Sequence, residues 1–234
     1  MKGNIKGKSM NFIFEGRPSE SPLVESIWRT QSESAGTFMS VAGIRWQMVI
    51  AKQYGKTTIT VRGPETKAMP AHCPENAEFF GINFTLGAFM PHLPVSNLVD
   101  GEVHLPEGTN KSFWFHGAAW ELPDYENADT FISRLVRDGL LVHEPIVEAT
   151  LQGQLPDLSL RSIQRRFLRA TGLTHGAVYQ IERAQKAAAL LEQGISILDA
   201  VEQAGYADQP HLTRSLKRFM GQTPAQILSK NKRA

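Results

Sequence analysis

The sequence predicts a multidomain α+β protein. A β-rich N-terminal half, folded as a cupin-like barrel or sandwich with a trailing helix, precedes an all-α domain carrying two helix-turn-helix units. Three observations lead there. Short β-branched and aromatic runs broken by turn residues fill the first half. One helical pattern occurs twice in the second half, 49 residues apart. Charge is uneven: from Glu144 onward there are 12 Lys/Arg against 8 Asp/Glu, and before it 13 against 15, so a net +2 divides into +4 and −2. A basic segment of this kind is the electrostatic footprint expected of a nucleic-acid partner.

In chain order, Met1 to Lys8 is basic and lacks an apolar stretch of signal-peptide length, so residues 1–10 are expected to be a flexible tail. Asn11 to Phe14 is a short strand candidate, and Ser21-Pro22 can begin either a turn or a first helical position, which leaves Leu23 to Trp28 ambiguous. Strand signals follow at Thr37–Val41, Trp46–Ile50, Thr57–Val61, Phe79–Phe84 and Ser112–Phe115, with Lys52 to Lys56 as a hairpin loop. Gly63-Pro64, Pro70, Pro74, Pro91, Pro94, Gly101, Pro106 and Gly108 punctuate them. Asn127 is placed to cap a helix over 127–141 with Phe131, Leu135, Ile132 and Val136 on its buried side, and Asp138-Gly139 to break it. The domain boundary is set near Pro145, giving a β-rich domain over 11–143 and a helical one over 144–230.

Within the helical part, Ser162 to Thr174 matches His211 to Thr223. Ile163, Phe167 and Ala170 in the first copy, and Leu212, Leu216 and Phe219 in the second, fall at i, i+4 and i+7, one face of a helix. The other face of each carries arginines, Arg165 and Arg169 or Arg214 and Arg218, and each helix stops at a glycine suited to the left-handed position. Recognition helices are therefore expected over about 159–171 and 209–220, joined by a long helix over 175–193 with Ile181, Ala184, Ala188 and Leu191 on one stripe. Two basic helices in one chain suit neighbouring major grooves, which recur about every 34 Å along the duplex. Before the first of them, Leu155-Pro156-Asp157 stands 49 residues ahead of Ala204-Gly205-Tyr206, so the scaffold helix, roughly Ile146 to Gln152, is expected to be short, weakened by Gly153, and its turn unusual.

The run Ile181-Glu182-Arg183-Ala184 through Ala189-Leu190-Leu191, then Ser196-Ile197, Ala204-Gly205-Tyr206, Asp208 to Arg214, Lys217-Arg218-Phe219, Gly221 and Thr223-Pro224, resembles the signature of the AraC/XylS family of bacterial transcriptional regulators. The resemblance covers roughly the last third of the chain. It implies a DNA-binding domain of seven helices and a sequence-specific regulator of transcription, whose N-terminal β-domain senses a ligand or dimerises. The residues expected to meet DNA are Arg161, Gln164, Arg165 and Arg169 on the first recognition helix, and Gln209, Pro210, His211, Thr213, Arg214, Lys217 and Arg218 on the second. Arginines one turn into such a helix reach base edges; those further along meet phosphates or are plain surface. Partners are then double-stranded promoter DNA, RNA polymerase if the protein activates, a small-molecule effector, and a second copy of the chain if α-helix 127–141 pairs with its twin.

With Cys73 the sole cysteine, no intrachain disulfide can form, and no apolar run approaches the roughly 20 residues of a membrane span, which together point to a cytoplasmic protein. Cys73 beside His72 suggests a nucleophile or alkyl acceptor, the mark of an enzyme or DNA-repair protein that uses its C-terminal domain only to reach DNA; adjacent residues of an extended chain point opposite ways, and the thiol is read as semi-buried and structural. His72, His92, His104 and His116 contain no H-x-H pair, so neither metal nor cofactor is expected. Trp46, Trp114 and Trp120 are read as core of the β-domain.

Overall fold

The computed structural model describes residues 2–7, 10–109, 111–154 and 157–231. Strands β1 (Lys2–Gly7), β2 (Met10–Arg17), β3 (Val24–Ser32), β4 (Gly36–Ser40), β5 (Gln47–Gln53), β6 (Lys56–Arg62), β7 (Met69–Cys73), β8 (Ala77–Phe84) and β9 (Ala88–Phe89) come first. After a 3-10 turn at Val95–Asn97 come β10 (Glu102–Leu105), β11 (Ser112–Phe115), β12 (Ala118–Glu121), α1 (Ala128–Arg137) and β13 (Val142–His143). Helices α2 (Pro145–Leu151), α3 (Leu160–Thr171), α4 (His175–Glu192), α5 (Ile197–Gln203), α6 (Gln209–Met220) and α7 (Pro224–Asn231) complete the chain. From residue 144 onward the described residues thus form six helices, one fewer than the resemblance implies.

An antiparallel seven-stranded sheet in the order β1-β2-β3-β8-β5-β6-β10 is the frame of the N-terminal half. Its alternation places Ile27 opposite Ile82, Ile82 opposite Met48 and Met48 opposite Val61, so one face collects apolar side chains that are all buried. Each such side chain contributes about 1.5–3 kcal/mol on burial. The Lys52 to Lys56 loop resolves into a two-residue turn, Tyr54 at φ 48° and Gly55 at φ 78°, the left-handed pair that matches strand twist. Gly81 lies in register with Trp28, and a Cβ there would sit 2.2 Å from the indole, so only glycine lets the ring cross.

Several expectations need correcting. From Val24 onward, the ambiguous segment Leu23 to Trp28 belongs to a nine-residue strand, β3. In place of a tail over 1–10, β1 pairs with β2 from Lys2↔Glu15 to Gly7↔Met10, because an adjacent strand edge satisfies its backbone groups. Helix α1 ends at Arg137, with Gly139 at φ 68°, rather than running to 141. Asn127 stands at its N-cap, but its side-chain oxygen accepts from the Asp124 N–H instead of the helix. Phe131, Ile132 and Leu135 are buried, whereas Val136 is exposed. Phe131 meets Phe113 and Trp120 edge-on, at 6.2 and 6.0 Å. Trp46, stacked on Phe84 at 3.7 Å, and Trp120 are core; Trp114 is 51% exposed.

The chain divides into two compact units, and not at 143/144. One comprises 1–38, 45–64 and 72–174, so α2 and α3 group with the sheet. The other comprises 39–44, 65–71 and 175–234. In it α4 packs against α5, α6 and α7. The two inserted segments hydrogen-bond to those helices: Ala42 N–H donates to the Phe219 carbonyl at 2.7 Å, Ala68 N–H to the Arg218 carbonyl at 2.8 Å, and the Gln185 amide to the Ala42 carbonyl at 2.9 Å. Two of the last carbonyls of α6, which a helix end leaves unpaired, are thereby satisfied.

Candidate nucleic-acid interface

Helix α3 begins at Ser159, whose hydroxyl accepts from the Ser162 N–H at 3.3 Å, and ends at Gly172 with φ 73°. A side chain at Gly172 would meet Val99 and the Val95 carbonyl at 2.9 and 3.0 Å, so this helix end is packed closely as well as left-handed. Ile163, Phe167 and Ala170 are buried as their spacing predicts. Arg161, Gln164, Arg165 and Arg169 are exposed. Arg169 also lies over the Phe89 ring at 5.5 Å, which steadies its guanidinium.

Arg166, between two of these, has another task. Its Nε and Nη2 donate to Glu144 at 2.9 and 2.8 Å, a two-pronged ion pair that holds its pKa above the ordinary value. Glu144 also accepts from the Ile146 N–H at the start of α2. One carboxylate therefore starts α2 and ties α3 to it. With the partners 22 positions apart, nothing local in the sequence signals the pair.

Helix α6 begins at Asp208, whose carboxylate accepts from the His211 N–H at 2.6 Å, with Pro210 in the first turn, and ends at Gly221 with φ 69°. Leu212, Leu216 and Phe219 are buried. Gln209, Pro210, Arg214, Lys217 and Arg218 are exposed, and His211 and Thr213 are half-buried. Among the described residues, no hydrogen bond or ion pair occupies the guanidinium of Arg161, Arg165 or Arg214, so all three can take a partner from outside.

The two helix-turn-helix units differ in their turns. In the second, α5 ends at Gln203 and Gly205, at φ 69°, makes the bend four residues before α6. In the first, α2 ends at Leu151 and Gly153, at φ 72°, makes it seven residues before α3. The counterpart of Gly205 is thus Gly153, which ends the short scaffold helix instead of weakening its interior. A fixed offset of 49 had put Leu155-Pro156-Asp157 there, and Leu155 and Pro156 lie outside the described residues.

The remaining candidates carry less chemistry. Cys73 is buried, and burial pushes its thiol pKa up against a smaller opposing effect of Ser32, the reverse of thiolate activation. His92 and His116 stack at 3.8 Å, His104 meets the Thr60 hydroxyl at 2.8 Å, and no group of three His, Cys, Asp or Glu among the described residues could hold a metal ion. A cavity of about 150 Å³ lies beside α1, lined by Trp120, Phe131 and Arg134 among others. No helix among the described residues is long and apolar enough to cross a membrane.

Known proteins point the same way. Residues 157–230 match the family described as a helix-turn-helix domain. The HTH-type transcriptional regulator RipA of Corynebacterium glutamicum is 32% identical over 88 residues, covering 37% of this chain and 27% of that protein. Its counterpart in Corynebacterium diphtheriae is 34% identical over 76 residues, covering 32% and 23%. The match thus spans about a quarter of the length of those relatives. ToxT from Vibrio cholerae aligns over 92% of this chain and 98% of its own at TM-score 0.37 and 14% identity, too distant to bear on the assignment. Residues 157–230 thus carry a helix-turn-helix domain, similar to part of the HTH-type transcriptional regulators named above.

Proposed function

We propose that the protein is a sequence-specific transcriptional regulator in which α3 and α6 read adjacent major-groove sites on promoter DNA. The observation that carries this reading is the likeness of the two helices. Both are capped by a side-chain oxygen, both stop at a left-handed glycine, both bury the same three positions, and both expose at the same turn an arginine, Arg165 or Arg214, with no bonded partner among the described residues. Arg161, Gln164, Arg165, His211 and Arg214 would face base edges, while Arg169, Lys217 and Arg218 meet phosphates. Gln209, Pro210 and Thr213 line the entry of α6 into its groove.

The division of labour follows. The DNA-binding domain begins near Glu144, and the β-rich half regulates it without catalysing a reaction, by binding a small molecule or by pairing with a second chain in the cytoplasm. An activating role adds RNA polymerase as a partner. Footprinting on bound genomic fragments tests the two-helix reading: each chain should protect two short boxes about one helical turn apart. A single protected box per chain would refute it.

A further inference from the structure

We infer that Arg183, on α4, is a positioning residue for DNA reading: it fixes the neutral imidazole of His211 with its proton on Nδ1, so that α6 presents a hydrogen-bond donor there to an acceptor on DNA. The inference rests on the assignment of α6 as a DNA-reading helix.

Arg183 is half-buried, and its guanidinium serves several partners at once. Nη1 donates to the Gly205 carbonyl at 3.3 Å, in the bend before α6, and Nη2 donates to Gln180 at 2.6 Å. Nη2 also stands 3.4 Å from Nε2 of His211. The guanidinium Cζ lies over the Tyr206 ring, 4.2 Å from its centre; that ring meets His211 edge-on at 5.1 Å, and its hydroxyl pairs with Ser215 at 2.8 Å. The imidazole is therefore held on one side by an aromatic edge and at one nitrogen by a cation.

The tautomer follows from donor and acceptor capacity. A guanidinium has five N–H donors, no acceptor, and does not deprotonate in proteins. Only an unprotonated Nε2 can receive its bond, and a neutral imidazole with a bare Nε2 carries its proton on Nδ1. Nδ1 has no hydrogen-bond partner among the described residues. Three residues into α6, where recognition helices meet DNA, that N–H suits a purine N7 or a phosphate oxygen. A lysine at 183 could not bond the bend and the imidazole together, since the fork geometry belongs to arginine.

Two measurements on the full chain test this. Long-range 1H–15N correlation of His211 without DNA should show the proton on Nδ1 in the wild type, and a shift toward the Nε2-protonated form in Arg183→Ala; a wild-type imidazole protonated on Nε2 overturns the proposal even if the variant fails to fold. Binding selections on randomised DNA with Arg183→Ala, His211→Ala and the double variant form the second. Arg183→Ala should change preference at the same base position as His211→Ala, by about 5- to 100-fold, the worth of one good base contact, and the double variant should lose no more than His211→Ala alone. If instead the single losses fall on all sequences alike yet remain non-additive, the acceptor is a phosphate and the positioning role stands. Additive losses overturn it. A wild type with no sequence preference would sink the DNA reading itself, while the tautomer would still report on Arg183.

Discussion

Arg165 and Arg166 are neighbours of the same chemistry, and one carboxylate separates their roles. Glu144 occupies Arg166 through two short bonds, whereas Arg165 has no bonded partner among the described residues. Arg165→Ala and Arg214→Ala should each cost about 1–3 kcal/mol on the specific site and relax preference at one box, because a bidentate base contact is lost. Lys217→Ala should weaken all sequences alike and lower the salt slope by about one. Arg166→Ala should leave base preference intact. Selection on randomised DNA with a salt titration separates the three outcomes; a relaxed preference in Arg166→Ala would reverse the assignment. Phe131 and Leu135 give the opposite lesson: buried in their own unit, they are not a free stripe for a second chain. Phe131→Glu should unfold the β-rich unit in a thermal melt, not release a folded monomer, since it buries an unpaired charge.

At the level of elements, the helices that carry the site were legible because their spacing, caps and stops are local. Ser159, Gly172, Asp208 and Gly221 each do what their residue type favours. Ser159→Ala and Asp208→Ala should therefore each lower stability by about 1 kcal/mol in chemical denaturation. The scaffold helix is short and its turn unusual, as expected, but the bend was placed at the wrong residues because an offset taken from α3 and α6 cannot reveal three extra residues ahead of one of them. Strand β3 was left open because Ser26, Arg29 and Gln31 dilute its apolar alternation, and β7 was not anticipated because Pro70 argues against a strand. Strands β9 and β13, two residues each, exist only through their pairing with each other.

The first turn of α1 is pinned by Asp129, which accepts from Arg17 at 2.6 Å and from the Ser19 hydroxyl at 2.5 Å. Its burial would raise the carboxyl pKa, but the Ser19 and Arg17 bonds outweigh that and hold it below the ordinary value. A depressed folded pKa adds stability above the unfolded value, about 3.9, and loses it as pH falls through the folded one. Asp129→Asn should thus be less stable than the wild type at neutral pH, and the gap should close as pH drops below about 3.9. Paired melts across that range check the sign; a constant gap would assign the effect to packing.

On the scale of the whole molecule, the expected boundary near Pro145 and the compact units disagree for a physical reason. Linear composition changes at the end of the β-pattern, but α3 packs on the 3-10 turn and β9, while 39–44 and 65–71 group with α4 to α7. Sedimentation of the full chain should separate the regulatory options: a dimer at micromolar concentration supports pairing, and a monomer leaves the small-molecule role.

The bonds from Ala42 and Ala68 to the end of α6 also bear on heredity. A regulator assembled by gene fusion is easily imagined as a sensor joined to a reader at one breakpoint. Here, cutting the gene before Glu144 would transplant the helices and leave behind two peptide groups that finish the second of them. In such a chimera the last turn of α6 should exchange its amide hydrogens faster than in the parent. The end of α6 is inherited with segments 39–44 and 65–71, or else it is left unfinished.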